Sequence, residues 1–500
     1  MSTTASKNRI ASFASSAPLR LKRGLAAVRT SPYLCLALIS AWHYSLWFVP
    51  NATGLLGITS FDVTFVWLLT LGFAALFLLT LPFGIKRIDT GEHLGVVPIA
   101  AGVLSAATLA FCLVFPFVHG APFYAMATAI ACLFGLCQAL IWIFGGASCS
   151  RAKATFAVRD VALTFALVTV VAMAASMVLP TPAAAVLAAA FPIASAIAYR
   201  NTMARSGGCP EPVLLPQKSS KALRTSAIVI LVTGGMLSIA DTFATCIIPT
   251  ELTGVLFHAN VLAWTLAGGV IIISVALLLY ASRFSDGEPY SLVPVLMALS
   301  IVALVFVVKS GELAVAAFAL GMGICVCMEI LMLTFFGALA TRGYMAPAIA
   351  FGVSEGIMRL GSTIGNSAAV FFEQNNLVSS SLTADTCLLG VCVIGFLIIA
   401  ATRQQHALTA LASAPLSVDE VDTVCEDAAA EFGLSPRETE VLKLLARNHS
   451  IDSIAKKFVI SPYTVQTHIQ HIYRKLHVHR RSELLDYINL RRDAIREHKE

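Results

Sequence analysis

Residues 434–442 read LSPRETEVL, and residues 460–476 read ISPYTVQTHIQHIYRKL. Both stretches place a serine directly before a proline, which is typical of the first residues of a helix. The serine side chain accepts a hydrogen bond from a free backbone N–H group, and proline has no N–H to leave unpaired. In the first stretch, Glu438 follows Ser435 by three residues and completes a capping box. Two helices are therefore predicted to begin at Ser435 and Ser461.

Further helices are predicted around these two starts. Ile454, Ala455 and Phe458 recur at helical spacing and predict a short helix over about 450–458, and another is predicted over about 481–490. Asn448 lies where the first helix must end, and asparagine tolerates the left-handed backbone that such an exit often needs. These signals predict a four-helix domain over residues 433–500 that contains a helix-turn-helix.

The helix that begins at Ser461 is predicted to have two different faces. Its apolar stripe must face the core and consists of Val465, Ile469, Ile472 and Leu476. The opposite face carries glutamine side chains, and glutamine can pair with adenine in the major groove of double-stranded DNA. The residues predicted to contact bases are Gln466, Thr467 and Gln470. The residues predicted to contact the sugar–phosphate backbone are Thr464, His471, Arg474 and Lys475.

The charge along the C-terminal part of the chain supports DNA as the partner. Residues 404–432 contain no lysine or arginine and are predicted to be an acidic linker, whereas 13 basic residues oppose 8 acidic ones from residue 433 onward. A polar helix face is ordinarily just solvated, but a basic domain is what a polyphosphate requires. Val418, Val421, Val424 and Cys425 also predict a short amphipathic helix in the linker, which packs on the DNA-binding domain or on a second copy of itself.

Most of the remaining chain has the composition of a membrane protein. Its hydrophobic fraction is 57%, and only 12% of its residues are charged, about half the average of soluble proteins. Runs of about twenty apolar residues are long enough to cross a bilayer. They predict twelve spans, at 33–49, 63–85, 94–117, 122–147, 157–180, 182–199, 226–250, 256–280, 290–308, 312–338, 346–372 and 382–402.

The basic residues between these spans predict the orientation. With a basic N-terminal tail (1–30) on the cytoplasmic side, nearly all lysines and arginines outside the spans fall on that side, and only Lys309 falls on the other. Because basic residues accumulate in cytoplasmic loops, this alternation predicts an even number of crossings through membrane lipid. Both termini are therefore expected in the cytoplasm, where DNA is accessible.

A loop over residues 200–225 divides the membrane domain (31–403) into halves of six spans, 31–199 and 226–403. This arrangement resembles the major facilitator transporters, whose related halves surround a central cavity. The resemblance covers residues 30–403 by span count and topology. The loop after the second span, residues 81–89, is only a loose echo of that family's signature. The expected fold class is thus all-α: a polytopic 6+6 membrane bundle followed by a four-helix DNA-binding domain.

Residues 430–492 strongly resemble the LuxR/GerE-type DNA-binding domain. The opening Ser-Pro-Arg-Glu-x-Glu-Val-Leu, the Ile-Ala pair at 454–455, the Ser-x-x-Thr-Val at 461–465, His468 and Lys-Leu at 475–476 match its pattern. Asn448, Gln466 and His477 depart from it, where the family usually has glycine, lysine and glycine. The whole chain resembles membrane-anchored LuxR-type regulators with a facilitator-like half. The resemblance implies a one-component regulator in a bacterial cell membrane that binds paired DNA half-sites as a dimer.

Ionisable residues inside spans are costly and usually face a cavity or a partner. Glu355 and Arg359 lie four residues apart on one face of the eleventh span, where they pair with each other or bind a carboxylate-bearing ligand. Glu329, Asp241 and His43 are further candidates for a ligand site. No catalytic, metal or disulfide pattern emerges, so neither an enzyme nor a cofactor is expected.

Three functions are consistent with these observations. The favoured one is a sensor in which an unidentified small molecule binds the membrane domain and changes DNA binding. The second is an active secondary transporter that regulates its own operon through the appended domain. In the third, the C-terminal helices bind proteins rather than DNA.

Overall fold

The computed structural model describes residues 28–49, 60–85, 93–118, 120–152, 154–206, 221–247, 268–269, 271, 291–309, 313–378, 381–413, 417–446, 451–458, 460–476, 478, 483–484 and 487–488. The described residues are overwhelmingly helical and contain no strand. The chain divides into two compact units, residues 1–413 and 414–500. The predicted all-α class is confirmed.

The first unit contains eleven described helices. They are α1 (Leu34–Phe48), α2 (Ser60–Ile85), α3 (Val96–Val114), α4 (Ala121–Arg151), α5 (Val158–Val178), α6 (Thr181–Arg205), α7 (Lys221–Cys246), α8 (Val293–Lys309), α9 (Leu313–Thr341), α10 (Pro347–Gln374) and α11 (Ser381–Ser413). Each overlaps one predicted span. The predicted span 256–280 lies outside the described residues except for residues 268, 269 and 271, and so do most of the loop 200–225 and residues 86–90.

The lengths and composition of these helices fit a bilayer. Eight of the described helices are long and apolar enough to cross a membrane, and the two shorter apolar helices are Leu34–Phe48 and Val293–Val308. Helix α10, which carries Glu355 and Arg359, is not among these ten. Proline at the first turn starts α4, α6 and α10, where its missing N–H costs nothing. The first unit is therefore a multi-pass membrane bundle.

Helix α10 joins the two halves of this bundle through close backbone packing. A side chain at Gly352 would collide with Pro82 and the backbone of α2, and one at Gly365 would collide with the Ile239 carbonyl of α7. Only glycine allows helices to approach so closely. Helix α10 is consequently held against α2 in the first half and α7 in the second.

The second unit contains α12 (Ser417–Phe432), α13 (Pro436–Ala446), α14 (Ile451–Phe458) and α15 (Pro462–Lys475). Glu483, Leu484, Tyr487 and Ile488 are also helical, whereas the rest of the predicted helix 481–490 and Asn448 lie outside the described residues. The buried core of this unit combines all of these helices; it consists of Val424, Cys425, Ala428, Val441, Leu442, Leu444, Leu445, Ile454, Ala455, Val465, Ile469, Ile472, Leu476, Val478, Leu484 and Ile488.

The segment 404–432, predicted as a linker, is mostly helical. Helix α11 continues past residue 403 to Ser413, and α12 occupies 417–432. Val424, Cys425 and Ala428 of α12 are buried in the core of the second unit. Of the two partners left open for this amphipathic segment, the structure therefore shows the other helices of the second unit.

Candidate nucleic-acid interface and buried charged cluster

The start of α15 is fixed by its own sequence. The Ser461 hydroxyl accepts a hydrogen bond from the Thr464 backbone N–H at 3.0 Å, and Pro462 occupies the first turn. An N-cap of this kind stabilises a helix by about 1 kcal/mol. The cap sets where α15 begins, and with it the direction in which each later side chain points.

Helix α15 has the two faces that its sequence predicts. Val465, Ile469 and Ile472 are 0%, 7% and 0% exposed, so the apolar stripe is buried in the core of the second unit. The candidate DNA-contacting residues that the structure leaves exposed are Thr464, Gln466, Thr467, Gln470 and Arg474. This side of α15 is thus available to a groove. We refer to these five residues as the exposed face of α15.

Sequence reasoning missed one residue beside this face. Tyr463 is 80% exposed although it is a large, partly apolar side chain. It lies in the first turn of α15, directly after Pro462, where a helix that enters a groove by its N-terminal end would meet the phosphate backbone. Its position after the cap was the signal that could have identified it.

Two of the predicted backbone contacts are engaged elsewhere in the domain. The Lys475 amine donates to the Glu438 carboxylate at 2.7 Å and to the Gly433 carbonyl at 2.9 Å. His471 Nδ1 lies 3.6 Å from the other carboxylate oxygen of Glu438. Both side chains therefore connect the end of α15 to the start of α13, a role that their spacing in the sequence did not indicate.

Glu438 is the centre of this connection. Its side chain is only 7% exposed, and its carboxylate also accepts a hydrogen bond from the Ser435 backbone N–H at 2.7 Å. Burial alone would raise the pKa of Glu438, but the hydrogen bonds from Lys475 and Ser435 outweigh it and lower the pKa to about 2. The capping box thus provides the anion that orients the C-terminal end of α15.

In the membrane unit, the structure brings three predicted residues together. Arg359 Nη2 lies 2.6 Å from Glu355 Oε1 on the same helix and 3.4 Å from Glu329 Oε1 on α9. All three side chains are at most 7% exposed. We call this group the buried charged cluster. It contains two carboxyl groups and one guanidinium.

Helix α1 completes the cluster with two residues that the sequence did not single out. The Tyr44 hydroxyl donates to Glu329 Oε2 at 3.1 Å, and Ser40 donates to Glu329 Oε1 at 3.4 Å. Since α1 belongs to the first half and α9 and α10 to the second, the cluster bridges the halves of the bundle. The periodicity of α1 alone could not show that its polar side chains meet a glutamate in a distant helix.

The other two candidates are buried close to this region without joining the ion pairs. His43 is 2% exposed, and its ring lies 5.6 Å from the ring of Tyr44. Asp241 on α7 is 1% exposed, and Ser300 lies beside its carboxylate. Among the described residues, neither oxygen of this carboxylate has a hydrogen-bond partner at normal geometry. The described residues contain no group of three or more metal-binding side chains.

Comparisons with known proteins identify the C-terminal domain. Residues 433–488 match the GerE family model, which describes bacterial regulatory proteins of the luxR family. A Mycobacterium bovis protein described as an HTH-type transcriptional regulator is 43% identical over 53 residues, 11% of this chain and 6% of that protein. The oxygen regulatory protein NreC of Staphylococcus carnosus is 41% identical over 54 residues, 11% of this chain and 25% of that protein. The chain thus spans only a small part of these relatives.

The membrane unit is similar in fold to solved transporters. A bacterial homologue of the iron transporter ferroportin has a TM-score of 0.52 at 12% identity, with 75% of this chain and 98% of that chain covered. The human organic anion transporter TETRAN has a TM-score of 0.51 at 14% identity, with 75% and 99% covered. At such identities the likeness shows the fold alone. The chain therefore joins a membrane unit that resembles major facilitator transporters in its fold to a C-terminal helix-turn-helix domain of the LuxR family.

Proposed function

We propose that this protein is a membrane-anchored, one-component transcription regulator of a bacterium. It lies in the cell membrane with both termini in the cytoplasm, as the distribution of its basic loop residues favours. The observation that carries the proposal is the exposed face of α15. This face lies on a capped helix of a LuxR-family domain, and the same chain contains a membrane bundle.

DNA recognition rests on the exposed face of α15. Gln466, Thr467 and Gln470 read base edges in the major groove. Arg474 and Thr464 hold the sugar–phosphate backbone, which fixes the register without reading sequence. Lys475 and His471 reach phosphates only by leaving Glu438, so their contribution is smaller than their charge suggests. Two copies bind paired half-sites, since one helix covers too few base pairs to be selective.

The membrane unit supplies the signal through the buried charged cluster. A ligand shifts an equilibrium only if it binds one arrangement of the protein better than the other. The cluster links α1 of the first half to α9 and α10 of the second through Glu329 and Arg359. A small molecule that competes for Arg359 or for the carboxylates changes the contacts between the halves and, through α11, the presentation of the DNA-binding domain.

The DNA-binding part is tested with the full chain in nanodiscs. DNA enriched by the wild-type protein from a random-sequence pool is compared with scrambled DNA by fluorescence anisotropy. We expect Gln470→Ala to lose about 1–3 kcal/mol of discrimination between the two DNAs, the value of a good base contact. Glu440→Gln is the control. Glu440 is an exposed residue of α13, so its replacement changes the charge of the domain at a position away from the bases. Absence of any enriched sequence, or equal discrimination in both variants, would show that the domain does not read DNA as proposed.

The sensing part is tested by promoter output in cells treated with a library of metabolites. A compound that changes output in the wild type should lose its effect in Arg359→Gln and retain part of it in Arg359→Lys, which preserves the charge. Arg403→Gln, at an exposed position of α11, is the matched control. If Arg359→Gln responds as the wild type does, the buried charged cluster is only a structural ion pair.

The alternative function is a secondary transporter with an appended autoregulatory domain. The fold similarity to transporters favours it. Purified protein in liposomes distinguishes the two: a transporter accumulates the effective compound against its gradient, whereas a sensor binds it without net movement.

A further inference from the structure

One end of the first six-helix half contains a cavity of about 340 Å³. Three separate parts of the chain form it: the segment before α1, the last turn of α4 and the last turn of α6. The described residues that line it are Thr30, Pro32, Arg151, Ala152, Thr202, Arg205 and Ser206. Two of these are arginines, and none of the described lining residues is acidic.

The two arginines differ in exposure. Arg151, the last residue of α4, borders the cavity and is only 5% exposed. Arg205, the last residue of α6, is exposed at the rim, and its Nη1 donates to the Thr30 carbonyl at 2.9 Å. A guanidinium has five N–H donors, so Arg205 keeps donors for a further partner.

The hydroxyl groups of the lining act differently from the arginines. Thr202 donates its proton to the Ala198 carbonyl at 3.0 Å, and Ser206 donates to the Met203 carbonyl at 2.7 Å. They hold the shape of the α6 terminus instead of supplying donors to the cavity. The positive charge of this cavity therefore comes from its two arginines.

The arginines have a simpler explanation, which accounts for only part of the arrangement. A cation at the C-terminal end of a helix is favourable because it offsets the partial negative charge of the last carbonyls. This explains why Arg151 and Arg205 end their helices. It does not explain why the two side chains border one shared cavity to which three chain segments contribute.

The geometry points to a binding site for a phosphate-bearing anion, held by the buried Arg151 and the exposed Arg205. Arginine is the side chain best suited to phosphate, because its planar N–H groups match two oxygens at once. The volume is at the small end of ligand pockets, about 300–1,000 Å³, so it fits a headgroup or a small phosphorylated compound. Helices that span a bilayer end near its phosphates, so the group can come from an anionic phospholipid or from a soluble molecule. This site is independent of the proposed regulatory function.

The test measures binding by the full chain in detergent micelles. Binding of phosphatidylglycerol and of phosphatidylethanolamine is compared by native mass spectrometry, with and without inorganic phosphate as a competitor. In a separate experiment, thermal unfolding measures whether inorganic phosphate stabilises the protein. The test variant is Arg151→Gln/Arg205→Gln. The control is Arg159→Gln/Arg200→Gln, which removes the same charge from two exposed positions outside the cavity.

We expect the test variant to bind the anion about tenfold or more weakly than the control, as for lost hydrogen bonds to a charged group. If the wild type prefers phosphatidylglycerol to phosphatidylethanolamine and inorganic phosphate does not displace the lipid, the ligand is a lipid headgroup. Stabilisation by phosphate in the wild type and control, but not in the test variant, identifies a soluble anion. Equal binding of both probes by the test and control variants overturns the site. If the double variant does not fold, Arg205→Gln alone decides, and its binding must still fall at least threefold.

Discussion

Replacing Glu438 with glutamine tests how the DNA-binding domain is held together. The carboxylate accepts hydrogen bonds from Lys475 and from the Ser435 backbone, both at 2.7 Å. Hydrogen bonds to a charged group contribute about 1 kcal/mol more than neutral ones, which gives about 2 kcal/mol for two. Because the Lys475 side chain is 32% exposed, solvent screening reduces the expected loss to about 1–2 kcal/mol.

The pH dependence of this loss has a definite sign. The pKa of Glu438 is lowered to about 2 in the folded protein from its ordinary value of 4.5. Its charge therefore stabilises the fold fully above about pH 4.5, and this contribution is lost as the pH falls towards 2. The difference between wild type and Glu438→Gln should be constant near pH 7 and should disappear below about pH 2.

The assay is thermal unfolding of residues 414–500, a compact unit with its own buried core, followed by circular dichroism. For a domain of this size, 1–2 kcal/mol corresponds to a fall in Tm of about 4–16 °C. Glu440→Gln is the matched control: Glu440 pairs with Arg437 at 2.8 Å, but its side chain is 55% exposed, so it should cost less than about 1 kcal/mol. Equal Tm values for the two variants, or an undiminished difference at pH 2, would refute the assigned role of Glu438.

Three further predictions follow from other contacts. Gly365→Ala places a methyl group on the Ile239 carbonyl and should destabilise the membrane unit by about 1–3 kcal/mol, whereas Gly395→Ala, with open space around it, should not; thermal unfolding in detergent compares them. Ser461→Ala should cost the C-terminal unit about 1 kcal/mol by loss of its N-cap, measured by denaturant unfolding. Arg474→Gln should weaken binding to all DNA sequences alike and reduce the slope of log K against log salt by about 0.9; a sequence-selective loss would contradict a phosphate contact.

The sequence predicted best what depends on residues close together in the chain. The caps at Ser435 and Ser461, the apolar stripe from Val465 to Ile472 and the i,i+4 pair of Glu355 and Arg359 all follow from local spacing. The apolar runs likewise predicted the positions of the eleven described helices of the first unit, eight of which are long and apolar enough to cross a membrane, since length and hydropathy are local properties.

What the sequence could not predict depends on contacts between distant residues. The Lys475 amine donates to Glu438, 37 positions away in the sequence. The prediction that Lys475 contacts a DNA phosphate rested on its charge alone, because this partner could not be seen from the sequence. Glu329 meets Tyr44 across 285 positions, and no periodicity within either helix indicates that pairing. The end of α11 at Ser413 was missed because residues 404–413 lack the apolar run by which a span is recognised.

The glycines of α10 have a mechanical consequence. Gly365 packs against the Ile239 backbone, and Gly352 packs against Pro82 and the Leu78 carbonyl. Neither contact leaves room for a side chain. The spacing of α10 from both halves of the bundle is therefore set at these two positions, and a larger residue at either one must move α10 away from its neighbour.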